Sequence, residues 1–450
     1  MTTFSVCKRA AAAYSLTCLL LICLGKSGPV AGAETGDAST TARQVEIPRV
    51  ESPTPLTGCE PCDNGLTGDW GGSRRALAQQ GLQINLENIG DVFFIRQGDN
   101  RETTYSNLFS AAFTFDMEKL ANISGGSAFL WIADTAGDNP ADVIGSIHAP
   151  SSIAAADAVR LLEAWYEQAS DDDRLGILVG FYAVDSEFDY KSTFDIFVGG
   201  GFGTGLDLSE SGLNGPSVYP VTSFGTRIRF SFSENIQGRL AVLDGVPGDP
   251  DDPTATAVFD FSSAQGIFTI GELEWASGPG SRFGRYTLGA WHYTTTFDDI
   301  LDTESDGTPV QRKGSSGVYA YGERALFSKP GNPEEGFFGV VRAGVADPDV
   351  QQVAGFYGAG VIYRGLLPAR FEDSLGIGFT TAVNGDKYKQ AQVLAGAPVT
   401  NTETEVVLVY AARLMRWLQV QPALQYFINP GTDPTADNAL LFGVRIGIIL

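Results

Sequence analysis

The sequence predicts an all-β fold: a transmembrane antiparallel β-barrel of sixteen strands, with a short helical segment before the first strand. Three observations predict it. From Leu82 to Leu450, apolar and polar residues alternate with a period of two, in runs bounded by turn signals. The links between these runs alternate between short and long. The composition joins 54 glycines and 11% aromatics to a mean hydropathy of zero. Such an average arises where every second residue faces lipid and its neighbours face water.

The first 33 residues have the three parts of an export signal. Lys8 and Arg9 form a basic start, an apolar run follows between Ser15 and Leu24, and Ala31-Gly32-Ala33 offers a small-residue cleavage site before Glu34. A retained anchor is the rival reading, but the run is too short for roughly 30 Å of hydrocarbon. Cys7, Cys18 and Cys23 fall within the signal, and neither Cys18 nor Cys23 has the small residue before it that a lipoprotein signal wants. Residues 34–65 are rich in Thr, Pro and Glu without hydrophobic period and read as a flexible periplasmic tether. Its Cys59-Glu60-Pro61-Cys62 reads as a local disulfide in an oxidising compartment. Haem attachment fails because Asp63 stands where His is needed, and a redox role lacks a surrounding βαβ pattern. The barrel domain then spans 66–450, opening with a helical pattern over Ser73 to Gln80 that Gly81 closes.

The strand pattern runs over 82–94, 106–117, 127–134, 159–168, 174–184, 221–232, 236–244 and 266–276. It continues over 284–297, 316–327, 336–346, 354–366, 371–382, 402–414, 416–428 and 438–450. These lengths suit the ~9–11 residues of a tilted membrane strand. Short links include Asp171-Asp172-Asp173, Ser233-Glu234-Asn235, Leu367-Pro368-Ala369 and the turn at Met415-Arg416, while long ones span 135–158, 185–220, 245–265, 298–315 and 383–401. Short periplasmic turns and longer outer loops are the habit of outer-membrane barrels, and a soluble sandwich has no reason for that alternation. In the last strand Leu440, Phe442, Val444, Ile446, Ile448 and Leu450 share one face, with Gly443, Arg445 and Gly447 on the other. Thr226, Ile228, Phe230 and Phe232 likewise alternate with Arg227, Arg229 and Ser231. An arginine facing lipid at the midplane costs about 2–4 kcal/mol, a cost that a watery lumen removes. The competing reading puts these arginines at the membrane rim.

A family resemblance adds to this. The segment Leu66-Thr67-Gly68-Asp69-Trp70-Gly71-Gly72-Ser73-Arg74 resembles the start of the carbohydrate-selective porins of the OprB type. Similar blocks follow at Gly180 to Phe188, Asn214 to Ser217, Ala241 to Gly245, Phe371 to Gly376 and Gln421 to Gly431. The likeness runs from about Leu66 to Leu450, and the order and spacing of the blocks make it specific. It implies a sixteen-stranded barrel passing glucose and other small sugars by facilitated diffusion in a Gram-negative outer membrane; a monomer and a homotrimer both stay open. The amphipathic last strand resembles the signal read by the barrel-assembly machinery, although it ends in Leu450 where most such proteins end in Phe. Pro422, inside a strand, is expected to mark a bulge.

A neutral sugar needs hydrogen-bond groups for its hydroxyls and a pore of suitable width. Strand parity places Arg227, Arg229, Arg239, Arg342, Arg364 and Arg445 on the lumen side, with Glu272 and Glu274 sharing a face and Gln419, Gln421 and Gln425 another. Trp131, Trp165, Trp275 and Trp291 read as interfacial girdle residues, with sugar stacking as the alternative. Gly199 to Gly205 superficially evokes a phosphate cradle, but no following Lys or helix supports it. A loop folded into the pore mouth fits better. Asp249, Asp251 and Asp252 read as a solvated turn, since their spacing does not match a calcium loop.

Other classes fare worse. The net charge of −23 opposes nucleic acid as a partner. No enzyme is expected: the two histidines, His148 and His292, lack a nucleophile motif. No cofactor is implied. Beyond the signal the six lysines (Lys119, Lys191, Lys313, Lys329, Lys387 and Lys389) are too few for an anion ladder, though arginines can substitute. A general or anion porin therefore stays the alternative.

Overall fold

The computed structural model describes residues 59–450, apart from 256, 259–264, 278–282 and 369. The signal reading of 1–33 and the tether reading up to residue 58 lie outside the described residues. Cys59 and Cys62 form a disulfide, with their Cα atoms 5.3 Å apart, across a short helix at Glu60–Asn64. Both cysteines are buried together with Ala78 of the next helix, Ser73–Gln80. That helix closes on Gly81, whose φ of 103° suits only glycine and lets its N–H reach the carbonyls of Leu77 and Ala78.

Sixteen strands follow. They are β1 (Leu82–Gln97), β2 (Asn100–Asp116), β3 (Gly126–Gly137), β4 (Ala158–Ala169), β5 (Leu175–Tyr182), β6 (Ser223–Ser233), β7 (Ile236–Asp244) and β8 (Ile267–Ser277). The second half comprises β9 (Gly284–Thr303), β10 (Pro309–Lys329), β11 (Asn332–Ala346), β12 (Val353–Arg364), β13 (Ser374–Asn384), β14 (Thr402–Met415), β15 (Leu418–Ile428) and β16 (Ala439–Ile449). Each pairs antiparallel with its sequence neighbours, and β1 pairs with β16 from Glu87↔Ile449 to Gln97↔Ala439, closing the barrel. Closure leaves no strand edge unpaired.

Arg74 locks the seam. Its Nη1 donates to the carbonyl of Leu450 at 2.7 Å, and its Nε and Nη2 donate to that of Ile84 at 3.2 and 2.7 Å. Leu66 N–H adds a bond to Ile449 O at 2.8 Å.

Alternation holds around the ring. Leu175, Ile177 and Val179 on β5, Ile228 and Phe230 on β6, and Leu440, Phe442 and Ile446 on β16 are exposed on the outer wall. Continuous apolar exposure of this kind belongs against lipid. Two expectations need correction. The long loop expected over 298–315 is mostly strand, because β9 and β10 run on as a hairpin. Pro422 makes no bulge: β15 keeps one register on β16 from Leu418↔Ile448 to Phe427↔Ala439. Only the β14 ladder skips, between Val409↔Ala423 and Ala412↔Val420. A missing N–H costs one ladder bond there without inserting a residue. A true irregularity lies elsewhere: β3 shifts by one residue on β4 between Trp131 and Ile132, leaving Leu162 unopposed.

Candidate pore lining and loop cavity

The interior is occupied by two loops, 138–157 and 183–222. The second carries an aromatic plug. Phe194, Phe197 and Phe202 pack on one another, Phe197 and Phe202 stacked at 4.4 Å, and they bury against inward Phe93, Val407, Val409, Phe427 and Leu441. Each buried phenylalanine contributes about 1.5–3 kcal/mol, so the loop is held in by its own side chains. The two loops also join through Gly200 N–H to Ala149 O at 2.8 Å and Ser152 N–H to Val198 O at 2.9 Å. The glycine run explains itself here. A Cβ on Gly199 would strike the Glu405 carboxylate, and one on Gly205 would strike the Arg342 guanidinium. The run is a site of close approach rather than a phosphate cradle.

The arginines that parity assigned to the lumen side sit at inward positions of their strands, and most meet carboxylates there. Arg227 spans Glu167 at 2.8 Å and Glu187 at 2.6 Å. Arg229 meets Asp173 at 2.8 Å, and Arg239 meets Glu272 at 3.0 Å and Glu274 at 3.1 Å. Arg445 grips Asp91 with two bonds of 2.7 Å. Arg342 lies between Asp189, at 3.0 Å, and Asp207, with no side chain of the three exposed. Arg364 stands apart near the periplasmic end, its guanidinium 4.8 Å from the Phe338 ring centre.

The glutamines hold loops. Gln425 donates to Pro150 O at 2.8 Å and Gln421 to Ile196 O at 3.4 Å, while Gln419 is buried on the same wall.

Several partners were not singled out from the sequence. Asp91, Glu167, Glu323, Glu403 and Glu405 sit on strands at inward positions, so the same parity could have found them. Asp189, Lys191 and Asp207 lie in the long loop, where no period signals their direction. Burial pushes Asp189 up, but Arg342 and Lys191 outweigh it and hold the carboxyl below its ordinary range. Burial prevails for Asp207, which is raised despite Arg342. The Lys191 ammonium is lowered by burial against the pull of Asp189. Glu403 ties down the first loop, accepting from Ile147 N–H at 2.9 Å, His148 N–H at 2.7 Å and Gly431 N–H at 2.5 Å. His148 Nδ1 lies 2.7 Å from the same carboxylate. This buried histidine is a loop anchor.

The tryptophans divide. Trp275 is exposed on the outer wall beside Tyr286, with ring centres 5.7 Å apart, as a girdle residue should be. Trp131, Trp165 and Trp291 instead face inward and are buried, which corrects the girdle reading for those three. The turn at Asp249, Asp251 and Asp252 is exposed and self-capped: Asp249 accepts from Asp251 N–H at 3.0 Å and Asp252 from Thr254 N–H at 2.9 Å. Between the two inward loops lies a cavity of about 450 Å³, whose lining includes Trp131, Asp185, Thr204, Glu210, Asn214 and Tyr219.

A closed sixteen-stranded barrel with an apolar outer band and a polar interior narrowed by its own loop is an outer-membrane porin. More narrowly, the chain belongs to the carbohydrate-selective porin, OprB family, whose profile matches residues 100–450. It is 24% identical over 421 residues to Porin B of Pseudomonas aeruginosa, covering 86% of this chain and 91% of that one. It is 22% identical over 416 residues to the putative porin QuiX of Acinetobacter baylyi, covering 85% and 92%. The fold is similar to the high-pH structure of Pseudomonas putida OprB, with a TM-score of 0.78 and 21% identity over 86% of this chain and 98% of that one. The protein is thus a carbohydrate porin of the Gram-negative outer membrane.

Proposed function

We infer that the channel passes neutral mono- and short oligosaccharides, glucose among them, and that the polar groups of the inner wall, Arg227, Arg229, Arg239, Glu272, Glu274, Arg342, Arg364, Gln419, Gln421, Gln425 and Arg445, set this preference. One observation carries the reading: Arg227, Arg229, Arg239, Arg342 and Arg445 each pair with a carboxylate within 3.0 Å. An arginine ladder left open would draw anions through the pore. Compensated pairs present donors and acceptors at close spacing with little net field, which suits an uncharged polyol. Some of these residues line the path, and Arg342 and Gln425, fully covered, act by holding the loop that narrows it. The amphipathic β16 serves in addition as the segment read by the barrel-assembly machinery.

The test is a charge change. Asp91→Asn leaves Arg445 without its partner, and the zero-current potential across a KCl gradient in planar bilayers reads the result. The variant shifts toward anions while wild type shows little anion preference. A strongly anion-selective wild type would contradict the reading.

A further inference from the structure

The outer wall carries one charge that its surroundings do not explain. Arg324 of β10 is exposed and shares the parity of Val318, Ala320 and Leu326, whereas Tyr319, Tyr321 and Glu323 are buried on the inner side. It therefore points to lipid. No ion pair, hydrogen bond or ring contact engages its guanidinium among the described residues. Register sets its depth. Girdle residue Tyr286 stands opposite Gly322, two residues farther from the short link at 330–331, and Phe327 stands opposite Phe337, three residues nearer to it. Short links lie on the periplasmic side of such barrels. Arg324 thus stands within the periplasmic aromatic girdle, where an outward arginine costs little and its head can reach the headgroup layer.

Arg324 also lines a groove of about 920 Å³ in the outer wall, which crosses β10 to β14. Small residues make its floor: Gly322, Gly339, Ala343 and Ala359. Tyr286 and Leu326 lie flat on the two glycines, since a Cβ on Gly322 would meet the Tyr286 ring at 3.0 Å and one on Gly339 the Leu326 side chain at 2.9 Å. The lining contains no Asp or Glu. These facts select an occupant. An apolar groove on a lipid-facing wall suits an acyl chain. A cation with no acid beside it attracts an anion and offers nothing to an ammonium group. A second copy meeting this surface by a two-fold contact would set Arg324 against Arg324. We propose that the groove is a site for one anionic glycerophospholipid of the periplasmic leaflet, with an acyl chain on the small-residue floor and the phosphate accepting from the Arg324 guanidinium. The groove backs β11, whose inner side holds the long loop through Arg342 and Asp189.

The experiment is native mass spectrometry of the full barrel, titrated with phosphatidylglycerol and with phosphatidylethanolamine of the same acyl chains. Wild type is compared with Arg324→Gln, with Ala359→Leu, which fills the floor, and with Arg174→Gln. Arg174 is exposed in the short link before β5 and does not line the groove, so its loss controls for charge alone. Folding of each variant is checked by heat-modifiable migration. Wild type and R174Q bind one phosphatidylglycerol about tenfold more tightly than phosphatidylethanolamine, the worth of a hydrogen bond from a charged group. R324Q binds the two lipids alike, and A359L weakens phosphatidylglycerol binding about fivefold. Should R324Q fail to fold, the wild-type preference and A359L decide. Equal phosphatidylglycerol binding in wild type, R324Q and A359L, or no preference between the lipids in wild type, would overturn the site and leave ordinary annular lipid. A lipid-free oligomer would overturn it in favour of a second copy.

Discussion

Arg342 illustrates how the interior is built residue by residue. Its guanidinium lies between Asp189 and Asp207 and within 5.1–5.2 Å of the ring centres of Tyr319 and Phe356. Such a buried triad gives little net stability, because desolvation offsets the attraction. What it supplies is position, since both acids belong to the long loop and the arginine to the wall. Glu210 is the contrasting case, a carboxylate without a cation in ion-pair contact among the described residues. Burial, and then the like charge of Glu403, push it up to about 7. Because its folded pKa lies above its ordinary value, the stability due to the neutral form is present at low pH and lost as pH rises toward that value. The same titration adds a negative charge to the cavity between the inward loops, which Glu210 lines. Cation selectivity of the single channel therefore rises as pH passes upward through about 7, and E210Q removes the step. A wild-type channel with pH-independent selectivity across that range would argue against a Glu210 whose charge is felt by permeating ions.

At the scale of elements, legibility follows where water and lipid lie. All sixteen strands were readable because each has one face in each solvent, and the period of two survives through β5 and through β6 and β16 up to their last residue. The outer ends of β9 and β10 were not, since turn-like residues such as Asp298, Asp302 and Asp306 crowd a hairpin that the periodic signal does not mark. Parity found Arg342 but could not find its partners Asp189 and Asp207, because a loop has no period. Trp131 and Trp291 were misread for another reason: an aromatic residue suits both a girdle and a packed interior, and composition cannot separate the two. The N-terminal helix was legible, but its purpose was not. Arg74, on that helix, was not singled out, and it is the clasp on Leu450. R74A is expected to lower barrel stability by about 1.5–3 kcal/mol, the worth of hydrogen bonds from a charged group. Urea unfolding followed by tryptophan fluorescence measures it, and an unchanged midpoint would mean the seam needs no clasp.

For the whole molecule, the outer wall, the inward loops and the compensated charges form one design. The wall places the barrel in lipid, the phenylalanine plug of 194–202 narrows the bore, and the ion pairs keep the remaining polar surface near neutral. A bore narrowed only by bulk would sort solutes by size, and one lined with open arginines would sort them by charge. A lining of paired groups sorts by capacity to exchange hydrogen bonds. Liposome swelling with the purified protein separates these cases, using isosmotic glucose against a zwitterionic amino acid of similar size. Faster swelling in glucose than in the amino acid is the expected result. Equal rates for the two, with the protein verifiably inserted, would contradict sugar selectivity and leave a pore that discriminates by size alone.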